Sequence, residues 1–273
     1  STILYACNET GLLDPEYAVQ YGVVVFDWSN GKQIWANTKP MTDEELLTKQ
    51  AEIIQAADPG IPGEQPRVWV YRNTIKALNW YTSVREKLDD PAYASWFVKF
   101  KDYKGPSSND SYHVPACTYE KCSGFYHDQE QTPEYPHGDG TCKEECDCGD
   151  APCGEYIFAM GPKNESFIDW YVNEYMVSNE TLLHTPIPIG LGWLDDSMTL
   201  NGPTEEDKHF IEDTGSSPED MQAMVDGYQY TMEKLKEKVV PMGGWWWQLM
   251  VRGPNVKDMP SSSASQCAAT LRS

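Results

Sequence analysis

The chain has 273 residues, with 21 Lys and Arg against 42 Asp and Glu and a formal charge of −21. That length supports one large α/β domain or two small ones. An acidic surface of this strength repels phosphate backbones and anionic lipid, which argues against nucleic acid as a partner; most of its carboxylates are read as solvated.

In chain order, the run from Tyr21 to Trp28 reads as a strand, continuous enough in apolar residues to be buried on both faces of a parallel sheet. Thr42-Asp-Glu-Glu45 reads as a capping box, followed by a helical stripe of Leu46, Leu47, Ile53, Ile54 and Ala57. The turn after Asp58 stops that helix, and Arg67 to Arg72 forms the next strand, giving a β-α-β unit with a right-handed crossover. Ile75, Leu78, Tyr81, Val84 and Leu88 recur at helical spacing, and Pro91 opens a further short helix over 92–100. A polar insertion at 102–115 precedes a strand at Phe125.

Residues 131–153 are a Cys-, Gly- and Pro-rich excursion that no regular element tolerates. A strand returns at 154–158. Ile168, Tyr171, Val172, Tyr175 and Met176 then mark an amphipathic helix. Residues 189–194 form a fifth strand, and Ser217-Pro218-Glu219-Asp220 opens a helix with a Ser cap, Pro at its first position and acids in its first turn. Its predicted core face carries Met221, Met224, Val225, Tyr228, Met232, Leu235 and Val239, and 243–250 make a sixth strand. Six β/α units predict an α/β fold of barrel type in a single domain over 1–250, with the disulfide-rich loop inserted. Residues 251–273 are a Ser-rich tail or linker, too short for two more units. The barrel is therefore incomplete or irregular at its C-terminal end, or the chain is part of a longer product.

Several predicted strands end in charged or amide groups: Asp27, then Arg72 and Asn73, then His127, Asp128 and Glu130, then Asp195 and Asp196. Strand ends are where a barrel gathers its reactive groups. Gly-x-Ser-x-Gly, phosphate-loop and EF-hand patterns are absent from the sequence. No cofactor or metal is expected.

The cysteines are 7, 117, 122, 142, 146, 148, 153 and 267, an even set. Spacings of x3, x and x4 in the 142–153 cluster differ from paired zinc knuckles, so Cys7, Cys117, Cys122, Cys142, Cys146, Cys148, Cys153 and Cys267 are read as disulfide partners. Asn8, Asn109, Asn164 and Asn179 each open an N-x-S/T sequon. Cysteines and sequons together predict a secreted glycoprotein, extracellular or at the cell surface. The start at Ser1, with neither Met nor signal peptide, fits a processed mature form. No apolar run approaches the ~20 residues that span a bilayer, so membrane insertion is not expected.

Six motifs carry a resemblance: Val-Phe-Asp-Trp-Ser-Asn at 25–30, Trp-Tyr-Thr-Ser-Val-Arg-Glu at 80–86, Tyr-His-Asp-Gln-Glu-Gln-Thr-Pro at 126–133, Cys-Gly-Glu-Tyr-Ile-Phe at 153–158, Trp-Leu-Asp-Asp-Ser at 193–197 and Gly-Pro-Thr-Glu-Glu-Asp at 202–207. In these the chain resembles, over roughly residues 20–250, a group of secreted algal and protist proteins related to TIM-barrel glycosyl hydrolases. The resemblance implies a barrel directed at glycans, with Asp27, Arg72, Asp128, Glu130, Asp195, Asp196 and Gln248 as site candidates. It also implies an acid after the fourth strand, where this chain has Ala159-Met160-Gly161-Pro162.

Glycoside hydrolysis pairs a protonated carboxyl with an ionised one, and Asp196 or Asp195 with Glu130 or Asp128 is the expected pair. Asp27, Arg72, His127, Trp193 and Gln248 are the expected substrate contacts, with Arg72 either orienting a carboxylate or pairing with Asp27. Trp28, Trp80, Trp193 and 245–247 suit stacking on sugars, or core packing. Two alternatives stand beside the hydrolase: a non-catalytic subunit of an extracellular coat or filament that self-assembles, and a sugar-binding module.

Overall fold

The computed structural model describes residues 2–38, 40–61, 64–99, 101, 125–128, 155–161, 163–176, 193–195, 210–211, 214–242 and 247–248. Its first part is a β/α arrangement: β1 (Ile3–Ala6), α1 (Pro15–Ala18), β2 (Val23–Phe26), α2 (Lys32–Trp35), α3 (Asp43–Ala56) and β3 (Arg67–Val70). The strands pair in parallel in the order β1-β2-β3, with Ala6 level with Phe26 and Phe26 with Val70. All of β2 is buried, as its unbroken apolar run requires. Val24 and Phe26 pack with Leu47, Ala51 and Ile54 of α3, while Val23 and Val25 meet Trp69 on the other face.

The chain crosses from β3 to β4 (Arg72–Asn73) through Tyr71, whose amide still donates to Phe26 O at 2.8 Å. From there the pairing changes: β4 runs parallel to β8 (Trp193–Asp195), and β8 parallel to β9 (Trp247–Gln248). Short strands at 193–195 and 247–248 therefore lie where the fifth and sixth strands were expected.

The middle of the chain departs from the expected parallel order. There β5 (Lys76–Ala77), β6 (His127–Asp128) and β7 (Glu155–Ile157) form an antiparallel sheet in the order β5-β7-β6. Parallel neighbours need a crossover, usually a helix, and the sequence between 128 and 155 offers no helical pattern. The predicted helix through Ile75 starts only at Thr82, as α4 (Thr82–Asp89), because Asn73 first turns the chain into β5. The 3₁₀ helix Pro91–Trp96 follows, capped by Asp90.

The stripe at 168–176 forms α5 (Glu165–Trp170) and a π-helical turn, Tyr171–Tyr175. Phe158, Phe167, Trp170, Tyr171 and Tyr175 pack there as one aromatic core with Trp96 and Phe97. Last comes α6 (Pro218–Val239), where Ser217 and Asp220 form a reciprocal capping box: Asp220 N–H donates to Ser217 Oγ at 3.1 Å and Ser217 N–H to Asp220 Oδ2 at 2.9 Å. Of its predicted face, Met224, Val225, Tyr228, Leu235 and Val239 are buried, with Gly227 and Thr231 beside them.

Two local expectations are corrected. Thr42 does not cap α3; its hydroxyl bonds Thr38 Oγ1 at 2.9 Å, and Glu45 accepts from Thr82 Oγ1 at 2.6 Å. Its neighbour Glu44 also turns away, toward the start of α4. On the same helix, Ile53 faces solvent, and the inward stripe is Asp43, Leu47, Gln50, Ala51 and Ile54.

Candidate functional site

Site geometry begins where the parallel strands finish. Asp27 follows β2 and is 8% exposed. Its Oδ1 accepts from Ser29 N–H at 2.9 Å and Ser29 Oγ at 2.6 Å, and its Oδ2 from Tyr5 OH at 2.7 Å. Asp27 thus folds back on its own turn, an Asx arrangement suited to a strand end.

The expected alternative of an Arg72–Asp27 pair gives way to a different partner. Arg72 is 2% exposed, and its Nη2 donates to Glu44 Oε1 at 2.8 Å. The guanidinium lies against two rings, 4.5 Å from the Tyr81 centroid and 4.7 Å from that of Tyr175. Glu44 reaches Arg72 from the first turn of α3, while Asp27 is already committed to Ser29 and Tyr5.

Glu44 has a second task. The N-cap residue of α4, Tyr81, has no side-chain bond to offer the helix's orphan amides. Glu44 supplies it, accepting from Ser83 N–H at 2.8 Å and Ser83 Oγ at 2.7 Å. One carboxylate therefore ties α3, β4 and the start of α4 together.

Beside it, Asp43 is wholly buried, and neither carboxylate oxygen has a hydrogen-bond partner among the described residues. Burial pushes this carboxyl well above the usual range; Arg72 opposes the shift, and the charges of Glu44, Asp27 and Glu45 add to it. For Arg72, burial works against the charge, but Glu44, Tyr175, Tyr81 and Asp43 outweigh it and hold the guanidinium above its ordinary value. Burial likewise raises the phenols of Tyr81, Tyr171 and Tyr175. Arg72 Nη1, Tyr171 OH and Tyr175 OH are buried with no hydrogen-bond partner among the described residues.

The cluster thus sets a buried carboxyl, raised by its burial, beside one paired with a guanidinium, with two phenols around them. Two carboxyls in unlike environments are the pattern of acid and base pairs. Here the pair is sealed: Asp43 is 0% exposed and the Glu44 side chain 12%.

Further along the sheet, Asn73 is level with Asp195, and Leu194 with both Arg72 and Gln248. Asp27, Arg72, Asn73, Asp195 and Gln248 therefore come to the same end of the parallel strands, and Trp193 lies within β8, level with Trp247. His127 and Asp128 belong instead to the antiparallel sheet, opposite Tyr156 and Glu155. Glu130 and Asp196 lie outside the described residues, as do Asn109, Asn179 and every expected disulfide cysteine except Cys7, which is exposed. Of the tryptophans expected to stack on sugars or pack in the core, Trp80 is core, stacked on Trp35 with centroids 6.1 Å apart; Trp28, half-buried, tilts against Trp80 at 4.9 Å.

The segment that replaces the fourth-strand acid has a packing role. Met160 is buried, and a Cβ at Gly161 would collide with the backbone of Ala223 in α6. Reciprocally, a Cβ at Gly227 would collide with the Met160 carbonyl. Helix and segment meet backbone to backbone, which only glycine permits.

Asp43, Glu44, Tyr81 and Tyr175 were not singled out as site residues from the sequence. Three consecutive acids directly after a strand–helix connection were the available signal for the first two. Among the described residues, no group of three His, Cys, Asp or Glu side chains is arranged to hold a metal, and no helix is long and apolar enough to cross a membrane. No protein-family model matches the sequence, and no curated protein matches it.

Proposed function

We propose that the chain is a secreted glycoside-hydrolase-type β/α barrel directed at glycans. The observation that carries this reading is the gathering of Asp27, Arg72, Asn73, Asp195 and Gln248 at one end of adjacent parallel strands, the end at which barrel enzymes keep their sites. In this reading Asp195 or Asp196 and Glu130 or Asp128 form the acid pair. Asp27, His127, Trp193 and Gln248 line the sugar site. Arg72 acts from behind, holding Glu44 and with it the start of α4, since it is too buried to meet a substrate.

A second reading, a barrel that binds sugar or builds an extracellular coat without cleaving, is favoured by one observation. The position after the fourth strand, where the resemblance implies an acid, is Ala159, followed by buried Met160 and by Gly161 packed on α6.

One experiment separates the two. The full chain is incubated with a panel of soluble polysaccharides and the release of reducing ends is measured. The hydrolase reading expects cleavage that falls at least ~100-fold in Asp196→Asn or Asp195→Asn, with the melting temperature unchanged. Saturable glycan binding without cleavage by the wild-type chain establishes the second reading instead.

A further inference from the structure

We propose that Asn8 is an N-glycan acceptor in the folded chain and that Asn164 is not, although both open sequons. The proposal rests on the secretory placement above, and it separates two sites that the motif alone treats as equal.

Asn8 lies in the loop after β1 and is exposed. The loop backbone is anchored to the start of α2, with Gly31 N–H donating to Asn8 O at 2.8 Å and Gln33 N–H to Glu9 O at 2.9 Å. Within the sequon, Asn8 Oδ1 accepts from Thr10 Oγ1 at 2.9 Å and from Thr10 N–H at 3.3 Å. These bonds use the amide oxygen and leave the nitrogen free of any hydrogen bond among the described residues. Gly11 keeps the space beside it open: a Cβ there would meet only Asn8 Nδ2, at 3.8 Å.

Asn164 spends both ends of its amide on the fold. Its Oδ1 caps α5, accepting from Ser166 Oγ at 2.8 Å and from Phe167 N–H at 3.4 Å. Its Nδ2 donates to Ser95 O at 3.3 Å and Ser95 Oγ at 3.4 Å, joining the start of α5 to the 3₁₀ helix. The junction is completed by Trp96 Nε1, which donates to Ser166 Oγ at 3.1 Å above a buried Phe167.

In the transfer, Nδ2 attacks the anomeric carbon of a lipid-diphosphate-linked oligosaccharide. The N–C bond forms, the C–O bond to the diphosphate breaks, the lipid diphosphate leaves with the electron pair, and the amide gives up one proton. At Asn8 the remaining N–H and the sugar both face solvent. At Asn164 the sugar replaces a hydrogen on the nitrogen that bonds Ser95 O and Ser95 Oγ and places a pyranose ring at that junction. A chain modified there before folding cannot close α5 against Ser95, so the folded, secreted pool carries Asn164 bare.

The test uses the full chain carrying an added secretion leader in a eukaryotic host. Protein from the medium is digested, treated with peptide:N-glycosidase in heavy-oxygen water, and mapped by mass spectrometry. Asn8 is expected as labelled Asp in most molecules and Asn164 as unlabelled Asn; Thr10→Ala, which keeps Asn8, removes the first label. A bare Asn8 or an occupied Asn164 overturns the proposal. The same map of the chain from its natural source tests the secretory placement separately: Asn8 bare there but occupied in the host refutes the placement while the acceptor assignment stands.

Discussion

Replacing Arg72 by Met keeps much of the buried stem and removes the guanidinium. Glu44 then loses its 2.8 Å cationic partner in a nearly closed site, and Tyr81 and Tyr175 lose the charge lying against their rings. Breaking a buried ion pair from one side costs about 3–5 kcal/mol, because the surviving charge stays desolvated. Glu44 keeps its two bonds from Ser83, which draws the cost toward the lower end; the two lost ring contacts, about 0.5–2 kcal/mol each, draw it back. The net expectation is a loss of about 3–5 kcal/mol, a fall in melting temperature of roughly 10 °C for a chain of this size. Urea melts followed by near-ultraviolet circular dichroism read the effect at the aromatic core. Glu44→Gln in the Arg72→Met background should cost less than in the wild type, with a coupling above ~1 kcal/mol. If Arg72→Met costs under ~1 kcal/mol, or the two changes are additive, the pair is not what joins α3 to α4.

Asp43 predicts an unusual pH dependence. Its carboxyl is raised in the folded chain, so the stability it contributes is fully present below the ordinary carboxylate pKa. That contribution is lost as pH rises through the folded value, at about 1.4 kcal/mol per pH unit for one proton. Asp43→Asn removes that slope and is expected to melt higher than wild type at neutral pH; parallel melting-temperature curves for the two proteins would contradict a carboxyl raised by burial. Gly227→Ala reverses a familiar sign. Ala ordinarily favours a helix interior by about 1 kcal/mol, but here its Cβ meets the Met160 carbonyl, and overpacking costs about 1–3 kcal/mol. A chemical melt showing a more stable Gly227→Ala chain would mean α6 does not touch that segment.

Local chemistry was legible where it acts locally. Ser217-Pro218 announces α6 because a cap and its orphan amide lie three residues apart, within reach of a sequence pattern. The apolar run of β2 was equally plain, since burial on both faces leaves no alternation to misread. The Thr42 box failed for the complementary reason. A competing donor, the Thr82 hydroxyl, lies in another helix 37 residues further along and engages Glu45 instead. Tyr175 was placed correctly on an inward stripe, but its contact with Arg72 depends on a π turn that no spacing rule announces.

The buried cluster also bears on what the proposed sugar site can tolerate. Glu44 and Arg72 pair opposite charges, and burial raises the Asp43 carboxyl, so the group behind the strand ends offers no uncompensated cation, and the chain as a whole carries −21. A ligand anion approaching those ends gains no net cation there and meets a strongly acidic surface. Hydroxyl-rich neutral sugars avoid both costs, because they exchange hydrogen bonds with water for hydrogen bonds with amide and carboxylate groups such as those at strand ends. Within the proposed reading, uncharged glycans are therefore favoured over sulfated or uronic ones. The same pairing explains how Arg72 remains charged in the core: its position is made possible by Glu44.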